Sequence, residues 1–229
     1  MNNCAVILSG CGSKDGSDVW ETVLLSYLLN KKGINPLFFA PDWEQKEVVD
    51  HLTHTASPDR RNVLKESARI AGDEIKEIQS LSGKDVDALI LPGGAGVVKN
   101  LSDLVGEAKK DYLKPKPELQ RLIREIYRRK KPIGACGISA IFVASALRDI
   151  LETPLTITIG KDPELIRQVE GMGALNVLSR GTDAVIDSEH RLVTTPANLL
   201  KLKVTDLALS LENLVNGILE LVSTKPHQE

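Results

Sequence analysis

The chain has 229 residues, 42% hydrophobic and 26% charged, a globular composition that excludes disordered and fibrous classes. Lys plus Arg number 29 against 31 Asp plus Glu, a formal charge of −2, so no overall field draws the chain to nucleic acid or to an acidic membrane surface. No apolar stretch approaches the roughly 20 residues of a membrane span, and three widely spaced cysteines offer neither a disulfide framework nor a zinc-ligand spacing, so no metal is expected.

In chain order, short apolar runs alternate with amphipathic stretches. Strands are predicted at Cys4 to Leu8, Ile34 to Phe39, Val86 to Leu91, Pro132 to Ala135, Leu155 to Ile159, Ala184 to Ile186 and Arg191 to Thr194. Helices are predicted at Ser17 to Lys32, Arg61 to Ala71, Glu118 to Arg129, Ile138 to Ile150, Pro163 to Glu170 and Pro196 to Val222. This alternation is that of a mostly parallel sheet covered by helices on both faces, a three-layer flavodoxin-like sandwich formed by the chain as one domain. Met1-Asn2-Asn3 leads into the first strand without the charge pattern of a signal peptide, so a reducing, cytoplasmic location is expected. The basic run Arg128-Arg129-Lys130-Lys131 closes a predicted helix, where cations complement the negative end of its dipole; no aromatics interleave it as in a nucleic-acid patch.

In open parallel sheets, ligands bind beyond the carboxyl ends of the strands. Three such junctions are glycine-rich: Ser9-Gly10-Cys11-Gly12, Pro92-Gly93-Gly94-Ala95-Gly96 and Cys136-Gly137-Ile138-Ser139-Ala140. The last reads as a buried strand, a tight turn and the start of an apolar helix. Its small neighbours Gly134, Ala135, Gly137 and Ala140 leave room for a strained elbow. A cysteine at that bend lies near the positive end of a helix dipole, which favours the thiolate a nucleophile requires. Cys136 is the candidate nucleophile; the competing reading is a buried structural cysteine. Gly93 and Gly94 are candidate oxyanion donors, with Gly137 and Cys11 lining the pocket. Cys4, inside a strand pattern, is assigned to the core.

Ser17 is the predicted cap of the first helix. Leu24, Leu25 and Leu28 follow Glu21 at helical spacing, so its carboxyl lies on an otherwise apolar face, where desolvation raises its pKa and suits it to carry a proton. A glutamate at the edge of the stripe, reaching solvent, is the alternative. None of the histidines stands shortly after Cys136. His51 and His54 are read as the polar end of a helix, His190 as a hairpin turn and His227 as tail, all solvated, so a Cys-His-Glu triad is hard to assemble.

Ile7-Leu8-Ser9-Gly10-Cys11-Gly12, Asp15-Gly16-Ser17, Phe39-Ala40-Pro41-Asp42, Arg61-Asn62-Val63-Leu64, Leu91-Pro92-Gly93-Gly94, Lys99-Asn100-Leu101-Ser102 and Val193-Thr194-Thr195-Pro196-Ala197 together resemble the ElbB (enhancing lycopene biosynthesis) family. That family belongs to the PfpI and Parkinsonism-associated deglycase superfamily, of class I glutamine amidotransferase-like fold, and its cysteine and first-helix glutamate match Cys136 and Glu21. The resemblance implies a homodimeric glyoxalase of weak activity that needs no cofactor and takes a small aldehyde or dicarbonyl substrate, methylglyoxal or glyoxal. Gly137, where the amidotransferase and protease branches place a histidine close by, argues against glutamine hydrolysis and proteolysis. The rival expectation is a cysteine-based redox sensor or small-molecule-binding protein linked to isoprenoid metabolism.

Overall fold

The computed structural model describes residues 1–103 and 113–224. In chain order the main elements are β1 (Asn3–Ile7), α1 (Val19–Lys31), β2 (Asn35–Ala40), α2 (Val63–Ala71), β3 (Lys76–Glu77), β4 (Ala88–Leu91), α3 (Ala95–Leu101), α4 (Pro117–Arg128), β5 (Ile133–Cys136), α5 (Ser139–Leu147), α6 (Pro163–Gly171), β6 (Val185–Asp187), β7 (Leu192–Thr195) and α7 (Val204–Ser223). One sheet in the order β6-β7-β5-β4-β1-β2-β3 forms the middle layer. Its strands are parallel except β6, which returns antiparallel on β7.

Strand parity divides the core in two. Ala5, Ile7, Leu89, Leu91, Ile133 and Ala135 face one way, into a cluster with residues of α4 and α5. Cys4, Val6, Ala88, Ile90 and Cys136 face the other way, with residues of α1 and α7. This places Cys136 on the same side of the sheet as α1. Gly134 lies where α7 crosses: a Cβ there would stand 2.6 Å from Ile218 Cδ1, so a side chain would push the helix outward.

Local chemistry sets the helix ends. α1 is capped by Asp18, whose Oδ1 accepts the Glu21 N–H at 3.1 Å, and not by Ser17 as predicted; the Ser17 hydroxyl instead accepts the Ser9 N–H at 2.8 Å. α2 and α6 are capped by Asn62 and Asp162. α2 supplies Ser67, whose hydroxyl accepts the Gly10 N–H at 2.9 Å. Arg128 is the last residue of α4, and the Lys131 ammonium donates to the Gly83 carbonyl at 2.7 Å.

Three stretches depart from expectation. Thr156–Ile157, within the predicted strand at Leu155 to Ile159, pairs with Leu175–Asn176 in a separate two-stranded ladder instead of joining the main sheet. The long helix predicted from Pro196 is broken: a 3-10 turn at Ala197–Leu200 precedes α7, and Ala197 and Lys201 hold positive φ of 44° and 51°, which no α-helix accommodates. His51 and His54 lie not on a helix but in the turn between the short paired strands Val48–Val49 and Ala56–Ser57. Both are exposed. His227 lies outside the described residues.

Candidate active site

Glu21 is 2% exposed, although a carboxyl group is among the costliest side chains to bury. Its two oxygens are each met by a backbone donor from a different strand end. The Gly93 N–H, after β4, donates to Oε2 at 2.7 Å, and the Asn198 N–H, after β7, donates to Oε1 at 3.1 Å. The first helix is thereby pinned to two sheet junctions through one side chain. Burial, reinforced by the neighbouring Asp18 charge, raises the Glu21 carboxyl to about 7 despite the two amide bonds, which act the other way.

Cys136 ends β5 and is fully buried. The bend after it is relieved at Gly137, with φ +53°, and Cys136 is not among the residues with positive φ. The strained cysteine expected at this elbow is therefore not found; glycine takes the left-handed position at little cost. The thiol is also not in the expected state. Burial first, then the charges of Glu21 and Asp18, raise it well above the ordinary cysteine value. A helix dipole is worth at most about 2 kcal/mol near its end. It does not outweigh a sealed apolar setting with two acids nearby.

The expected oxyanion donors are partly committed. The Gly93 amide serves Glu21, and the Gly137 amide donates to the Thr195 carbonyl at 2.8 Å. Gly94, φ +110°, starts α3 in close contact with the first loop: a Cβ there would lie 2.4 Å from the Gly16 carbonyl oxygen, so only glycine fits. Among the described residues its N–H has no hydrogen-bond partner. The Ser139 hydroxyl donates to the Pro92 carbonyl at 2.7 Å, tying the turn after Cys136 to the junction after β4. Leu199 covers the elbow, its Cγ 3.1 Å from where a Gly137 Cβ would stand.

Cys11 is half-buried in the first loop, bridged to Ser17, with its thiol raised chiefly by burial. Cys4 is fully buried. His190, expected to be solvated, is 4% exposed: its Nδ1 pairs with Asp187 Oδ2 at 2.9 Å and its Nε2 lies 3.0 Å from the Thr153 hydroxyl. It stands before β7, whereas Cys136 closes β5, and these parallel strands place the two at opposite ends of the sheet. No cluster of metal-ligating side chains forms among the described residues.

Two site residues escaped the sequence reading. Asp18 both caps α1 and charges its surroundings. Asn198 reaches Glu21 with its backbone and Asp18 Oδ2 with its side-chain amide, at 2.7 Å. The available signal for Asn198 was position alone: a polar residue just past a buried strand, beyond Thr194-Thr195-Pro196.

No family model matches the chain. It is 33% identical over 227 residues to the rat "ES1 protein homolog, mitochondrial", covering 95% of this chain and 83% of that protein. Among solved structures it superimposes on an isoprenoid biosynthesis protein with amidotransferase-like domain from Ehrlichia chaffeensis with TM-score 0.86 and 35% identity, over 95% of this chain and 99% of the other. Glyoxalase III from Candida albicans shares the fold, with TM-score 0.59 and 17% identity over 94% of this chain and 97% of that one. Among the described residues no helix is long and apolar enough to cross a membrane. The order of the strands, the matched length and the level of identity agree: the chain belongs to the ES1 and ElbB family of glutamine amidotransferase-like class 1 proteins, and it shares its fold with ThiJ/PfpI and DJ-1 proteins.

Proposed function

We propose that this protein is a slow, cofactor-independent glyoxalase that converts methylglyoxal or glyoxal to lactate or glycolate at Cys136, with Glu21 carrying the proton. The observation that supports this most is a buried carboxyl poised at about 7, electrostatically coupled to the Cys136 thiol. A group with that proton affinity is both an adequate base and an adequate acid at neutral pH.

The mechanism follows from the starting protonation state, a neutral thiol beside a partly ionised carboxyl. Glu21 accepts the thiol proton as sulfur adds to the aldehyde carbon, and the proton passes to the new alkoxide, giving a hemithioacetal. Glu21 then removes the hydrogen from that carbon and returns a proton to the neighbouring one, through an enediolate whose charge the Gly94 amide would meet. The resulting thioester is hydrolysed. In sum, methylglyoxal and water give lactic acid, with no external electron acceptor. Cys136→Ser should reduce methylglyoxal consumption by purified protein to the buffer background. An inactive wild type, or an undiminished serine variant, refutes the proposal.

A second reading, a small-molecule-binding protein without turnover, draws on the sealed, protonated Cys136, the state of an inert thiol. A peroxide sensor at Cys136 is less favoured, since sensing requires an accessible thiolate. Mass spectrometry after mild peroxide treatment separates these readings: selective oxidation of Cys136 without aldehyde turnover would favour the sensor. The proposal also includes a homodimer, supported by the exposed ridge Val19, Trp20, Val23 and Tyr27 on α1, and a cytoplasmic location, for which the sparse, unpaired cysteines speak.

A further inference from the structure

Asp18 and Glu21 place two carboxyl groups within one turn of a buried helix end, 3% and 2% exposed. No lysine or arginine bonds or ion-pairs with either one among the described residues. Such a pair repels, and the compensation here comes from neutral donors. Asp18 Oδ1 takes the Glu21 N–H, and Glu21 takes the Gly93 and Asn198 amides. The remaining strong bond, 2.7 Å from Asn198 Nδ2 to Asp18 Oδ2, makes Asn198 the one residue among the described residues that donates to both acids, by backbone to one and by side chain to the other.

The conformation beneath it points the same way. Ala197, fully buried, holds φ +44° where an alanine is disfavoured. This turns the chain directly after Pro196 so that the next amide faces α1. The arrangement is held by a network, since strained non-glycine residues persist only where their surroundings fix them. Thr195 Oγ1 lies 3.4 Å from the Ala197 nitrogen and hydrogen-bonds the Ser210 hydroxyl of α7.

We infer that Asn198 is a positioning residue that fixes the Glu21 carboxyl against Gly93 and screens it from Asp18, so that the carboxyl can exchange its proton at neutral pH. This rests on the proposed role of Glu21, yet the two fail separately. Among the described residues the charged and titratable groups facing Glu21 are Asp18 on α1 and the Cys136 thiol at the end of β5; the segments after β4 and β7 bond it through backbone amides. Removing the Asn198 side chain leaves Asp18 Oδ2 without its donor and exposes Glu21 to more of the Asp18 charge.

The test is side-chain carboxyl titration by carbon-13 NMR of uniformly labelled protein, with Glu21→Gln identifying the resonance. Asn198→Ala should move the Glu21 midpoint upward by about one unit or less, Asn198→Asp should move it further, and Asn198→Gln should restore part of the wild-type value. The rising limb of any methylglyoxal pH–rate profile should shift by the same amount. A purely structural asparagine would lower the melting temperature in all three variants without ordering the midpoints. Asn198→Ser, which keeps a short hydrogen-bonding side chain, covers the case in which the alanine variant does not fold. A folded variant lacking the amide that titrates like the wild type overturns the inference. If the midpoints shift while the wild type consumes no methylglyoxal, the positioning role stands and the glyoxalase proposal falls.

Discussion

Glu21 carries the physics of the site, because its ionisation is linked to folding. Its carboxyl moves from 4.5 to about 7 on burial. Between those values the folded protein holds a proton that the unfolded chain has released. The Glu21 contribution is therefore fully present below about pH 4.5 and is lost as pH rises through 7, by at most about 3 kcal/mol. Urea denaturation from pH 5 to 8.5 should show this decline, and Glu21→Gln should flatten it. An equally steep decline in the glutamine variant contradicts the assignment. At this scale the sequence revealed the residues better than their states. The spacing of Glu21 to Leu24, Leu25 and Leu28 placed the acid inward, and the small residues around Cys136 marked a bend. Neither reports how completely a thiol is enclosed, so the desolvation that outweighs the helix dipole is not legible in the sequence. His190 escaped for the related reason that Asp187, its buried partner, reads as an ordinary turn residue in sequence.

At the scale of elements, parity explains why the site assembles. Cys136 can meet α1 only because it lies on the face of β5 shared with Val6 and Ile90 across the sheet. The glycine two residues earlier on that face lets α7 approach. Gly134→Ala would place a methyl 2.6 Å from Ile218 Cδ1. It should cost about 1–3 kcal/mol of stability as α7 shifts, measured by denaturant unfolding; an unchanged midpoint would show that the contact yields freely. Long apolar strands and capped amphipathic helices were legible because each is periodic over several residues. The interruption between Ala197 and Val204 was not, since Pro196 can begin a helix and nothing local announces left-handed alanine and lysine residues. The ladder at Thr156–Ile157 was missed for a different reason: its apolar run matches a sheet strand, and its partner at Leu175–Asn176 is only two residues long.

Over the whole molecule, the catalytic candidates gather at the carboxyl edge of the sheet, close to the N-terminal turn of α1, whose outer ridge is apolar. Trp20 and Tyr27 are 57% and 59% exposed. The homodimer proposed through this ridge predicts a solution mass of about twice the 25.0 kDa chain by light scattering, falling to one chain in a Val23→Asp, Tyr27→Asp variant. A monomeric wild type rules out this homodimer.

The central claim is that the buried thiol and the buried carboxyl act together on a dicarbonyl. Incubation of purified protein with carbon-13 methylglyoxal in deuterium oxide, followed by NMR, tests it directly. The account predicts carbon-13 lactate from the wild type and none above background from Cys136→Ser or Glu21→Gln. Failure of the wild type to form lactate faster than buffer, or equal formation by either variant, would contradict it.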